Sequence, residues 1–341
     1  MYPIFNNSYL SIILSIDSIL FLMVLVSYYF LLKVQAKNKK FLFLILFVFL
    51  SIVFKSLVPL VEIRDYFTYT RVLSDNGYKP IRLLDLLIEP YFKFISKNLL
   101  HWFSIPSVLE IYYYFLFVAG ISFFTWLAFV KDITLWRKYL TFNLFFILFS
   151  FILLRNAIAY MIIALFFYYM SKGRFVYSFF SAVFFHITTI PVLLLSFFRN
   201  KKLNFYIVPI VVLIILLFFF IFYTESSFFY LKYKDFKKNS ALYNYTIHNV
   251  VFYVSLSIFI LYIYSFKNIL LNYHYVLLLV IYIVLFYFNA VMGFRFSFYI
   301  FLYLLMNTQL SFISRLENLL NRYSFLFVLF GIITFRLFLY I

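Results

Sequence analysis

A chain of 341 residues that is 67% hydrophobic and 12% charged, with a mean hydropathy of +1.03, excludes a soluble globular domain; apolar runs of about twenty residues recur along its length, as in a polytopic membrane protein. The formal net charge of +18 falls mainly in short clusters between those runs, the footprint of the positive-inside rule and not of a nucleic-acid surface, so no nucleic-acid partner is expected. Cysteine is absent, which removes disulfides and thiolate metal sites.

In chain order, apolar spans are expected at 9–32, 41–60, 107–130, 139–154, 156–170, 204–223, 250–266, 273–289, 292–310 and 323–341. The first lacks a small-residue cleavage site and ends in the basic "KVQAKNKK", so it reads as a retained span and not a cleaved signal. Basic connections at 33–40, 131–138, 172–174, 199–202, 267 and 315–322 belong on the cytoplasmic side. The segment 174–198, "RFVYSFFSAVFFHITTIPVLLLSFF", has basic residues at both ends. Both stay inside if it is a short re-entrant hairpin turning near "HITTIP"; a single crossing is the alternative. The expected fold class is therefore all-α: one membrane-embedded domain over 1–341, of about ten to twelve transmembrane helices with both termini outside.

Two polar stretches, 61–106 and 224–249, then become extracytoplasmic loops. In the first, Arg82, Asp85, Glu89 and Lys93 recur at helical spacing opposite Leu84, Leu87, Ile88, Tyr91 and Ile95. That pattern predicts an amphipathic helix on the membrane surface, kinked near Pro90.

Under this topology Arg155, in "LLRNAIAYMII", and Arg295, in "GFRFSFYIF", sit at outer span ends, level with His186 at the hairpin turn. Arginine keeps its charge, and placing it in hydrocarbon costs a few kcal/mol on insertion scales, so it faces a partner, a cavity or the interface. Snorkelling to headgroups or structural pairing is the competing reading. Two arginines and a histidine at one level favour an anionic ligand, because the guanidinium fork matches phosphate oxygens. Asp65 and Tyr69, four apart in "RDYFTYT", would share a helical face and offer a carboxylate and a phenol to sugar hydroxyls or to an arginine; a solvated loop explains them as well. Glu89 pairs locally with Lys93. Asp17, Lys55, Glu110 and Arg336, near span ends or inside the first and last helices, receive no chemical role.

Other chemistries find no motif. The five glycines are too scattered for a phosphate-binding loop, there is no HExxH zinc motif, and no Gly-x-Ser-x-Gly elbow.

The ordered pieces "RDYFTY", "EPYFKFI", "LLRNAIAYMII", "SAVFFHITTIPVL" and "FRFSFYIF", spanning about Ile63 to Leu305, resemble the EpsG/Wzy-type polysaccharide (O-antigen/exopolysaccharide) polymerases of bacterial envelopes. Asn156, where the family often has glutamine, and Ile187–Thr188, where it often has serine, depart from the pattern. The resemblance implies a glycosyltransferase of the cytoplasmic (inner) membrane that needs no metal or cofactor. It would move a growing glycan from undecaprenyl pyrophosphate onto a new undecaprenyl-pyrophosphate-linked repeat unit at the outer face. Carried over residue by residue, it implies His186 and Asp65 as catalytic candidates and Arg155, Arg295, Tyr69, Glu89 and Tyr299 as substrate-binding ones. The implied partners are lipid-linked oligosaccharide and polysaccharide, the lipid bilayer, a chain-length regulator and a flippase. Two competing functions remain. An oligosaccharide ligase would use a similar donor, and a lipid-linked glycan transporter would line a path across the membrane and carry internal repeats, of which none is visible.

Overall fold

The computed structural model describes residues 16–59, 66–76, 90–154, 156–174, 176–186, 189–193, 273–288, 290–310 and 314–339. Among them every regular element is helical. The expected spans 204–223 and 250–266 and the loop 224–249 lie outside the described residues.

Two apolar helices, α1 (Ile16–Lys33) and α2 (Lys37–Leu57), form an antiparallel pair through a three-residue turn. The region expected as the first outer loop contains two further helices, α3 (Tyr66–Asn76) and α4 (Pro90–Leu99). The latter starts on a proline, whose missing N–H costs nothing at a first helical position. Of the stretch expected to form the amphipathic helix, the part from Pro90 onward is helical as α4, while Arg82, Asp85 and Glu89 lie outside the described residues. The long α5 (Ile105–Phe129) follows, then α6 (Leu135–Ile147), extended by a π turn at Leu148–Ile152. After a break comes α7 (Ala157–Ser171). A 3₁₀ turn (Tyr177–Ser181) leads into the one-turn α8 (Ala182–Phe185), and α9 (Ile190–Leu193) is equally short. Near the C-terminus stand α10 (Tyr273–Phe288), α11 (Ala290–Met306), α12 (Ser314–Arg322) and α13 (Val328–Leu339).

Four of these helices are long and apolar enough to cross a membrane among the described residues, or five if the bent pair Ser314–Arg322 and Ser324–Arg336 is one span. The chain turns by 68° at Tyr323, where the expected connection 315–322 gives way to the expected span 323–341. The polar, amphipathic α12 ahead of the bend carries Arg315, Glu317, Asn318, Asn321 and Arg322, a composition suited to an interface and not to hydrocarbon.

Burial ranks the helices. In α6 with its π turn, 94% of the 18 residues are buried inside the protein, against 28% of the window in α2, so α6 is the central post. Its aromatic face builds the core. Phe142 stacks on Tyr28 at 3.8 Å and meets Phe124 edge-on at 5.1 Å. Buried polar tips are satisfied by backbone: Tyr28 donates to the Phe124 carbonyl (2.9 Å), Tyr139 to Leu25 (3.2 Å) and Thr334 to Asn143 (2.8 Å). Such bonds hold helices together where lipid offers no alternative partner.

Close approach needs small residues. A Cβ on Gly120 of α5 would overlap the Ser150 hydroxyl in the π turn and stand 3.2 Å from Ser150 Cβ. Gly120→Ala is therefore expected to destabilise the purified protein by about 1–3 kcal/mol of overpacking, read as a lower melting temperature. Adding Ser150→Ala should recover part of that loss, and a double variant no more stable than Gly120→Ala would place the strain elsewhere.

The basic connections at 33–40, 131–138 and 172–174, among the described residues, gather at one end of the bundle. There cations meet the carbonyls that helices leave unsatisfied at their C-termini. Lys40 donates to the Ala128 carbonyl at 3.0 Å, Lys138 to Ala128 (3.5 Å) and to Val130, and Arg137 to Asn307 and Leu310. At the same end Lys172 pairs with Asp132 at 3.0 Å. Hydrogen bonds from Lys172 and from the Tyr168 phenol hold the Asp132 carboxyl below the usual carboxylate range. Gly173, at φ 71°, closes α7 here in a left-handed conformation that suits glycine.

Candidate functional site at the far end of the bundle

The central post breaks at the end opposite those basic connections. The π turn closes with the Leu153 N–H on the Leu148 carbonyl, and Leu153 itself leaves helical geometry at φ −80° and ψ 59°. The chain then reverses: Asn156 caps α7 without a side-chain hydrogen bond, and its buried Oδ1 has no hydrogen-bond partner among the described residues. π turns of this kind concentrate at functional sites. Because α6 starts beside Asp132 and α7 returns to it through Lys172 and Tyr168, the two helices are antiparallel and the break is their far-end turn. Arg155 falls in this break by sequence and lies outside the described residues.

A second hairpin meets the first at this level. The rings of Tyr275 on α10 and Tyr303 on α11 lie 6.5 Å apart, which makes α10 and α11 antiparallel with their turn at the far end. Arg295 stands in the second turn of α11, and its carbonyl accepts a 2.9 Å hydrogen bond from Tyr160, one turn into α7. The Tyr299 ring, 1% exposed, packs against Tyr160 at 4.8 Å. Tyr299 thus braces the α7–α11 contact. Arg295 is half-buried, and its guanidinium has no hydrogen-bond or ion-pair partner among the described residues.

His186 follows α8 in extended conformation (φ −160°, ψ 127°), and its carbonyl accepts from the Thr189 N–H at 3.2 Å and from Thr189 Oγ1 at 2.8 Å. The chain does break where a turn was expected, with one-turn helices on both sides; the return arm, 194–198, lies outside the described residues. Next to His186, the Phe185 ring packs on Tyr91 of α4 at 4.7 Å, and Tyr91 meets Tyr112 of α5 at 5.6 Å. Ser96 on α4 bonds the Tyr112 hydroxyl at 3.2 Å.

Heights follow from about 1.5 Å of rise per helical residue. Arg295 is twelve residues from Asn307, which Arg137 holds at the basic end, so it stands about 18 Å above that end. Tyr112, sixteen residues before Ala128, stands at about 24 Å and carries the His186 segment with it. Arg295, the α6–α7 break and His186 therefore occupy neighbouring levels toward the far end.

The remaining sequence candidates divide. Tyr69 on α3 is 5% exposed, a packed residue of the helix that lies against α5. Asp65 and Glu89 lie outside the described residues, so the expected shared face of Asp65 and Tyr69 is not described. No group of three His, Asp or Glu side chains placed to hold a metal ion occurs among the described residues.

One cation that sequence reading left without a role stands out. Lys55 on α2 is 6% exposed, and its ammonium lies 5.7 Å from the Tyr113 ring, 5.6 Å from Tyr114 and 5.5 Å from Phe151 in the π turn. The available signal was a lysine inside "FVFLSIVFKSLV", a charge within an apolar helix. No family model, curated protein or solved structure matches the chain.

Proposed function

We propose that the chain is a polymerase of lipid-linked polysaccharide repeat units, transferring a growing glycan from undecaprenyl pyrophosphate to a new lipid-linked unit at the outer face of a bacterial cytoplasmic membrane. The observation that carries this reading is Arg295: a half-buried guanidinium in an apolar helix, unpartnered among the described residues, beside a broken span whose sequence contains Arg155. A fixed cation with no anionic partner among the described residues answers to an anionic ligand at that depth. Pyrophosphate on a lipid carrier meets the requirement, because its charge sits at headgroup level while its tail stays in the bilayer.

In this reading the basic end is cytoplasmic, the full chain has ten to twelve spans with both termini outside, and 174–198 is a re-entrant hairpin. The arginines stabilise the departing pyrophosphate and His186 or Asp65 takes the acceptor hydroxyl's proton. Glu89 faces the sugar, while Tyr69 and Tyr299, buried in helix packing, support the site from behind and do not contact the sugar. The decisive experiment is reconstitution of purified protein with lipid-linked repeat units, which should yield a ladder of lengthening products; absence of any ladder with a folded protein removes the proposal.

Sidedness is tested separately. A single cysteine at His186 is the only thiol in the chain and is expected to react with a membrane-impermeant reagent in cells whose outer barrier has been opened. Reaction only after lysis would put that segment inside.

The two proton-acceptor candidates separate kinetically. His186→Ala should slow transfer while leaving donor binding near normal, since an acid–base group acts in the transition state. Near-normal transfer with unchanged pH dependence in His186→Ala, together with an inactive Asp65→Asn, would move the role to Asp65.

A further inference from the structure

Lys55 presents a physical problem that packing leaves open. Its ammonium has three hydrogens, each of which needs an acceptor when removed from water. Three aromatic faces attract a cation but accept no strong hydrogen bond, and no oxygen lies within hydrogen-bond distance of the ammonium among the described residues. The nearest acidic influence is Glu110, an exposed residue one turn before Tyr113 and Tyr114 on α5, which forms no ion pair with it.

Its position is also informative. Lys55 lies fifteen residues beyond Lys40, or about 22 Å above the basic end, so it matches the level of Arg295 to within about one helical turn. The two residues lie beside different parts of the π turn. Lys55 approaches the π turn through Phe151, whereas Arg295 approaches through Tyr160, whose ring lies parallel to that of Phe149 in the same turn at 6.2 Å. Around Lys55 the seam between α2 and α5 faces outward: Ile52 and Leu57 on α2, and Tyr114 and Phe115 on α5, are all exposed. In a bilayer such a seam opens to lipid and not to water. A group reaching Lys55 therefore arrives laterally, as a lipid headgroup does.

We infer that Lys55 anchors a second polyprenyl-pyrophosphate headgroup, giving the protein two anion subsites beside the α6 π turn, one at Arg295 and one at Lys55. This rests on the polymerase reading, whose reaction joins two substrates that each carry a lipid-linked pyrophosphate. Both must be bound together while the sugar moves between them. The cage of Tyr113, Tyr114 and Phe151 holds the ammonium at the seam and leaves its hydrogens for phosphate oxygens. Glu110, exposed one turn before Tyr113 and Tyr114 on α5, disfavours anions that arrive from water.

The test is equilibrium binding of radiolabelled farnesyl pyrophosphate to full-length protein in nanodiscs, with inorganic pyrophosphate as competitor. Wild type should bind two equivalents, and Lys55→Met and Arg295→Met one each, the lost site weakening at least about tenfold. Lys55→Gln, polar and close in size, should bind like Lys55→Met; this keeps the test sound if the methionine variant fails to fold. Two equivalents retained in either folded Lys55 variant overturn the inference. If Lys55→Met loses a site while Arg295→Met does not, Lys55 stands and the arginine site falls. If only Arg295→Met loses one, the reverse holds, and no binding by wild type removes both. Inorganic pyrophosphate should compete at least about tenfold more weakly than the farnesyl ester. Equal competition would overturn the assignment to a lipid-borne headgroup.

Discussion

Arg295→Lys is expected to lose polymerising activity by about 10–100-fold, and Arg155→Lys by a similar factor, although both variants keep their charge. A lysine supplies a point charge where two parallel N–H donors match two phosphate oxygens, and the loss of one charge-assisted bond accounts for a factor of this size. The local structure should survive the Arg295 change. What Tyr160 binds is the backbone carbonyl of residue 295, and the ring contact of Tyr160 with Tyr299 involves neither arginine. The measurement is the initial rate of ladder formation in proteoliposomes at matched protein content. Weakened donor binding together with slowed transfer is the expected signature, since on the proposed function the arginines would act in the ground state and in the transition state. Full activity in both lysine variants would reduce the two arginines to residues that snorkel toward headgroups.

Charge made the basic end readable in advance. The clusters at 33–40, 131–138 and 172–174 were expected on one side from their spacing alone, and Lys40, Lys138 and Lys172 do meet there, on helix C-terminal carbonyls and on Asp132. The division at Arg155 was equally visible, because an Arg–Asn pair in an apolar run interrupts it, and α6 and α7 do part there. The charge spacing around Pro90 announces α4, but α3 is less legible: "YFTYTRVLSDN" has too little net hydropathy to announce a span, and what makes it a helix is its packing against α5. Lys55 was hidden for a different reason. Nothing near it in sequence tells that Tyr113, Tyr114 and Phe151 surround it, since those rings come from a helix and a turn 58 to 96 residues away. The connection 315–322 proves to be the helix α12; its Asn321 side chain accepts from the Trp136 N–H of the central post at 3.2 Å, a tie invisible to local patterning.

Arg137 carries the largest expected effect on stability. It is 3% exposed, at the start of the central post, and donates to the Asn307 carbonyl at 2.8 Å and to the Leu310 carbonyl at 3.0 Å. Those carbonyls follow the last turn of α11, where a helix has no further N–H to offer. Arg137→Met keeps the volume and removes both donors, leaving two buried acceptors unpaired at a cost of about 2–4 kcal/mol. A lower melting temperature and faster unfolding in mixed detergent are expected, and Arg137→Lys should recover only part of the loss, because one ammonium cannot follow the fork to two separated carbonyls. The effect should also reach the far end. Since α11 is pinned at Asn307 and carries Arg295 twelve residues away, freeing its basic end lets the helix slide or tilt, and Arg295 moves with it. Arg137→Met assayed well below its melting temperature should therefore show weakened farnesyl pyrophosphate binding as well as reduced stability. Wild-type melting in Arg137→Met would mean that the two carbonyls find other donors and that α11 is held along its length by α7 instead.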